Sequence, residues 1–189
     1  MTLKPNLLRG ERVYLSAVQD DDLEVISDWT ENSDFVRLYN RRPAVPQTVA
    51  DVSAEIREMQ RSEREFIFGV RRCEDELLVG LAGLDGISWT NGTAFLSIGI
   101  GEEGHRRRGY GREAMELLMR FAFDELNLHR LCLTVFSYNE AAIALYESLG
   151  FVREGVYRQH LHRDGRRYDM ILYGILRDEW ESSTRLDAS

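Results

Sequence analysis

The sequence predicts a mixed β-sheet with helices on its faces, an α/β (α+β) sandwich. Three observations predict it. Apolar runs of strand length recur seven times and are separated by turn residues. Helical spacing of apolar residues appears in four stretches, two early and two late. The chain has 189 residues, which suits one domain of roughly 150 residues plus margins. That length buries a core without metal or disulfide support.

The elements follow in chain order. Glu11 to Ala17 places Val13, Leu15 and Ala17 on one face and reads as a strand. Asp20, Asp21 and Asp22 offer an N-cap and an acidic first turn to a helix reaching about Trp29. Pro43 and Pro46 mark Arg41 to Gln47 as a loop. Thr48 to Gln60 carries Val49, Val52, Ile56 and Met59 at helical spacing. Glu65 to Arg72, Leu77 to Ser88 and Thr93 to Gly101 read as antiparallel strands, joined at Glu74-Asp75 and at the hairpin pair Asn91-Gly92. Gly111 to Leu126 is an amphipathic helix with Ala114, Leu117, Leu118, Phe121 and Ala122 on one face and Asn127 at its end. Arg130 to Phe136 is a short apolar strand. Asn139 to Leu149 is a helix with Asn139 as N-cap and Gly150 as its left-handed stop. Phe151 to Leu161 and Arg167 to Leu176 form a last hairpin around Asp164-Gly165. The order is β-α-α-β-β-β-α-β-α-β-β. One domain over 1–189 is expected, with a core from about 10 to 178 and a tail from 179 to 189.

Composition narrows the function. Hydrophobic residues make up 43% and charged residues 30%, which excludes a wholly disordered chain. The net charge of −8 disfavours general binding to nucleic acid or to anionic membranes. No apolar run approaches the ~20 residues of a membrane span, and the first residues lack a signal peptide's apolar stretch. Cys73 and Cys132 are too few for a disulfide framework, so a reduced, cytoplasmic setting is expected.

Within this acidic chain, His105 to Arg112 holds four arginines and no acid. It lies between a strand and the start of a long helix. Gly104, Gly109 and Gly111 permit tight turns, and the helix start offers unpaired N–H groups and a dipole that favours an anion. Together these features make a phosphate-binding loop. The Walker A pattern fails, because Gly111 is followed by Arg112-Glu113. The dinucleotide pattern is matched by Gly109, Gly111 and Ala114, but it should follow its strand at once and open the domain.

A third pattern, R/Q-x-x-G-x-G/A, is matched by Arg106, Gly109 and Gly111. With the preceding Ser97-Ile98-Gly99-Ile100-Gly101 and the downstream run from Asn139 through Tyr146 to Phe151, it resembles the GNAT superfamily of N-acetyltransferases. Gly10 to Leu15 and Arg163 to Asp169 resemble its RimJ/RimL-like, ribosomal-protein-alanine branch. The resemblance implies a mostly antiparallel central sheet of about seven strands flanked by about four helices. It implies acetyl-CoA as acyl donor, with no metal.

The resemblance also implies site residues. Strand 95–101 splays from strand 130–136, and the pantetheine arm lies in the gap, against backbone groups of Ile98 and Ile100. Arg106, Arg107, Arg108, Gly109, Tyr110 and Gly111 wrap the pyrophosphate with backbone N–H groups, while arginine side chains add charge. Arg107 stands where relatives often have glycine, so a positive φ there would strain it. Asn139 contacts the pantetheine end or caps its helix. Tyr146 points its hydroxyl at the cofactor sulfur and donates to the leaving thiolate, as direct attack by an amine in a ternary complex requires.

No carboxylate carries over as general base, since Phe95 stands at that place. Glu102 and Glu103 read as a solvated pair, and Asp85 and Ser97 are weaker candidates. At pH 7 about 14% of an α-amine of pKa near 7.8 is neutral, against about 0.04% of a lysine-like amine near 10.4. This leans toward a protein N-terminal α-amine as acceptor. The alternatives are a small amine (polyamine, aminoglycoside or amino sugar), or a non-catalytic acyl-CoA-binding module, which the presence of Tyr146 disfavours. Tyr39, Arg41 and Arg42 are placed to meet an anionic acceptor. His160 and His162 alternate on a strand but lack a third metal ligand. Family members are often homodimers, and the resemblance allows the same here.

Overall fold

The computed structural model describes residues 6–186. Seven strands form one sheet: β1 (Val13–Ser16), β2 (Phe66–Arg72), β3 (Leu78–Ser88), β4 (Thr93–Ile100), β5 (Arg130–Phe136), β6 (Val152–Arg163) and β7 (Arg166–Leu176). Their spatial order is β1-β2-β3-β4-β5-β7-β6. Every neighbouring pair is antiparallel except β4 and β5, which run parallel. That one parallel joint follows from the chain: a crossover helix, α4 (Tyr110–Arg120), joins the two strands.

The helices cover both faces. Ala114, Met115, Leu117, Leu118 and Met119 of α4 are buried against Val13, Val70, Val79, Ala82 and Leu133 of the sheet. Each such leucine or methionine contributes about 1.5–3 kcal/mol by leaving water. The opposite face carries α1 (Leu23–Glu31), α2 (Ser33–Tyr39) and α3 (Val49–Arg61), packed through Ile26, Trp29, Phe35, Val52 and Ile56 onto Leu78 and Leu81. Helix α5 (Glu140–Ser148) lies after β5.

Among the described residues two helices, α2 and α6, add to the four expected, and a third helix ends differently from its expectation. Helix α2 had no counterpart in the sequence reading; the Asn32 side chain caps it, accepting from the Asp34 and Phe35 N–H groups at 2.9 and 3.4 Å. The supposed tail is largely helix α6 (Arg177–Leu186), whose Trp180 stacks on Phe123 at 5.0 Å between ring centres; residues 187–189 lie outside the described range. The helix expected to reach Leu126 keeps α geometry only to Arg120 and widens into a π turn over Phe121–Glu125. That turn seats the Phe121 ring edge-on between Phe66 and Phe68 of β2.

Candidate active site

β4 and β5 pair at three positions only: Thr93 with Arg130, Ala94 with Leu131 and Phe95 with Cys132. Beyond them β4 stays with β3 up to Ile100, and β5 stays with β7 up to Phe136. The middle of the sheet is therefore a fork, closed at Phe95 and open toward Ile100. Main-chain groups alternate sides along a strand. The Gly101 N–H donates to the Val79 C=O at 3.0 Å, so Gly99 and Ser97 also turn toward β3. Ile98 and Ile100 consequently turn their main-chain groups into the fork. The Ile100 C=O is met there by the Arg106 Nε at 3.4 Å.

The loop at the open end has a defined shape. A 3₁₀ turn at Glu103–His105 leads through Arg106 to Arg108 into α4. Arg107 has φ +59°, the left-handed region anticipated for this position, which disfavours a side-chain-bearing residue by about 1–2 kcal/mol. Gly109, at φ +85°, is the N-cap of α4 and supplies no side-chain acceptor. The first helical bond runs from the Glu113 N–H to the Gly109 C=O at 3.1 Å. The N–H groups of Gly109, Tyr110, Gly111 and Arg112 thus have no partner inside the helix, at the positive end of its dipole.

The arginines divide the work. Arg106 folds inward: its side chain braces the Ile100 and Gly101 carbonyls, and its N–H donates to the Glu103 C=O at 3.0 Å. The free donors therefore begin after Arg106. Arg107 and Arg108 are exposed at the loop. Arg112 bonds the Ser148 Oγ at 2.5 Å, tying α4 to α5.

α5 frames the other side of the opening. Asn139 accepts the Ala142 N–H at 3.2 Å, so it does cap its helix. Tyr146 is buried, with its ring 6.0 Å from that of Phe151. Burial, with the neighbouring Tyr39, pushes its phenol up to about 12.

The closed end gathers groups that sequence reasoning ranked low or assigned elsewhere. Tyr39, at the end of α2, was read as facing an anionic acceptor. It instead lies on β4, where a Cβ on Gly99 would come 2.7 Å from its ring. Its hydroxyl bonds to Ser97, and burial pushes its phenol up. Asp85 stands opposite Phe95 across β3 and β4. Partial enclosure, then the nearby Glu65, raise its carboxyl above the ordinary value, while Arg41 opposes them. The signal for this cluster was Gly99 itself: a small residue in mid-strand marks a ring lying flat on it. Glu102 and Glu103 are exposed at the far, open end, as a solvated pair would be. Arg42 pairs with Glu55 at 3.3 Å, and Arg163 of the β6–β7 hairpin holds the Arg41 and Arg42 carbonyls at 3.1 and 3.0 Å. His160 and His162 are exposed, Cys132 is buried in β5, and among the described residues no group of three His, Cys, Asp or Glu is arranged to hold a metal. None of the described helices is long and apolar enough to cross a membrane.

A forked sheet with an uncapped, arginine-flanked helix start defines a class, and sequence comparison agrees with it. Residues 12–152 match the family described as acetyltransferase (GNAT) domain, and the chain belongs to that family. It is an N-acetyltransferase that uses acetyl-CoA as donor. Among individual relatives, the uncharacterised N-acetyltransferase YoaA of Bacillus subtilis is 27% identical over 173 residues, 90% of this chain and 97% of that protein. The putative ribosomal N-acetyltransferase YdaF of the same organism is 32% identical over 107 residues, 57% of this chain and 58% of its own. In structure, the spermidine N-acetyltransferase of Vibrio cholerae, crystallised with CoA and spermine, superposes with a TM-score of 0.83 at 25% identity, covering 91% of this chain and 99% of that one.

Proposed function

We propose that the protein acetylates a cationic primary amine, and that the fork between β4 and β5 is where donor and acceptor meet. The observation that carries this is the loss of strand pairing after Phe95 beside the uncapped start of α4. The residues present fit acetyl-CoA. The inward main-chain groups of Ile98 and Ile100 offer an amide-bearing arm a strand partner. The N–H groups of Gly109, Tyr110, Gly111 and Arg112 suit a diphosphate, and Arg107 and Arg108 add positive charge there. Asn139 caps α5 through its Oδ1, and we assign its NH₂ group to the donor's pantetheine end. When bound, acetyl-CoA supplies the thioester carbonyl that an amine attacks.

Tyr146 supplies the proton. A phenol held near 12 is neutral at any physiological pH, so it is always ready to donate to a sulfur at the closed end of the fork. At the same end Glu55 and Arg42 pair with each other, which leaves Asp85 and Glu65 facing Arg41, an excess of one negative charge. That excess favours a cationic acceptor, and we assign Asp85 to take its proton. The Vibrio relative's acceptor class supports the same reading.

A second reading retains a protein N-terminal α-amine. It is supported by the Gly10 to Leu15 and Arg163 to Asp169 segments of the RimJ/RimL-like branch and by the partial match to the ribosomal enzyme. An acceptor screen separates the two. With acetyl-CoA and thiol detection, spermidine is expected to release thiol well above aminoglycosides and N-terminal peptides. Turnover confined to N-terminal peptides would replace the first reading with the second.

A further inference from the structure

A carboxylate outside the fork sets the shape of the donor loop. Glu113, in the first turns of α4, reaches across to the start of β1. Its Oε1 accepts the Glu11 N–H at 2.6 Å, and its Oε2 accepts the Arg12 and Val13 N–H groups at 2.9 and 3.1 Å. Three consecutive backbone donors thus close around one carboxylate, over a separation of about one hundred residues. Gly10 belongs to the same arrangement, because a Cβ there would collide with the Glu113 carboxylate.

The enclosed turn aims Arg12. Its guanidinium lies on Gly109, where any Cβ would meet it, and Nη1 makes a long bond of 3.4 Å to the Arg108 C=O. The Arg108 C=O and the Gly109 N–H belong to one trans peptide and point in opposite directions. A cation on the carbonyl side therefore leaves that N–H pointing away from Arg12. Arg12 also adds charge behind the loop, and it helps hold the turn in which Arg107 keeps its left-handed backbone.

We infer that Glu113 and Arg12 are positioning residues for the donor: Glu113 anchors the Gly10–Val13 turn, and Arg12 orients the Arg108–Gly109 peptide toward the donor's diphosphate. This rests on the reading of Gly109 to Arg112 as the diphosphate site, and the test separates the two.

Dissociation constants for CoA and for pantetheine, which lacks the diphosphate, are measured by calorimetry or ligand-observed NMR. The proteins are the natural chain, Arg12→Ala, Arg12→Lys and Glu113→Gln. Arg12→Ala is expected to weaken CoA about 10-fold and pantetheine less than about 2-fold, the loss of one charge-assisted contact. Arg12→Lys restores part of the CoA affinity, and Glu113→Gln, which turns an NH₂ toward backbone donors, loses at least as much as Arg12→Ala. Arg12 is exposed, so its variants carry the test even where Glu113→Gln fails to fold. CoA affinity kept within about 2-fold in Arg12→Ala, or equal losses for both ligands, overturns the inference while leaving the diphosphate site standing. A natural chain that binds CoA no better than pantetheine removes that site, and the inference with it.

Discussion

The two ends of the fork are built differently. The open end, Ile100 to Arg112 with Asn139, consists of main-chain donors held by glycines and a helix start. The closed end, taken inward from Phe95 as far as Gly99, is a cluster of side chains from distant parts of the chain: Asp85 from β3, Ser97 from β4, Tyr39 from α2 and, beside Tyr39, Tyr146 from α5. On the proposed reading, main-chain groups hold the donor and tolerate changes of side chain, whereas side chains choose the acceptor and do not. The difference teaches why proteins of one fold share a donor while their acceptors vary.

The contrast can be probed from the strongest expected effect downward. The closed end depends on α1 to α3 staying docked, and Asp22, just ahead of α1, adds a buried ion pair to their apolar packing. Its carboxylate takes Arg71 Nη2 at 2.6 and 2.7 Å, with both side chains largely buried. Asp22→Ala leaves a buried guanidinium short of its partner and is expected to cost about 3–5 kcal/mol in denaturant unfolding. CoA binding by the fraction that stays folded should be unchanged, and a matching loss of CoA affinity would show that the ends are not separable. Next is Tyr146→Phe. Turnover with acetyl-CoA should fall about 10²-fold or more, with CoA affinity within about 2-fold, as expected for a lost proton donor. Turnover at the natural rate would take the phenol out of the reaction.

The smallest effect concerns pH. Because Asp85 sits above the ordinary carboxylate value, its ionised form is lost earlier as pH falls. The acidic limb of kcat/KM should therefore lie above about 4 and disappear in Asp85→Asn. Tyr146, raised to about 12, is neutral across that whole range and contributes no limb to it. An acidic limb that persists in Asp85→Asn would assign it to another group.

The sequence reading separated along the same line. The open end was legible because its physics is local: an arginine- and glycine-rich stretch ahead of an amphipathic helix needs no distant partner to be recognised. The seven strands were legible from alternation and from the Asn91-Gly92 hairpin, and Arg130 to Phe136 matched residue for residue. Of the closed end, Tyr146 came through the family resemblance, Asp85 and Ser97 only as weak candidates, and Tyr39 with another role. Tyr39 ends a seven-residue helix too short to show a period, and Asp85 gains its character from partial enclosure and then from Glu65, both of which come only with the fold. Arg12 and Glu113 were quoted inside their motifs without a role, since only the fold brings them within bonding distance across a hundred positions. Helix α6 was missed because its apolar content is low and its anchors, Trp180 on Phe123 and Arg177 on Leu128 and Asn127, are distant in sequence.

A sheet that parts after three paired residues has two raw strand margins in its interior, where other sheets have none. Such margins ordinarily invite another chain. On the proposed reading the visitor is the amide-bearing arm of acetyl-CoA, and the enzyme's substrate then doubles as a piece of secondary structure. Amide exchange at Ile98 and Ile100 should slow when CoA is added, as it does for any residue that acquires a neighbour in a ladder.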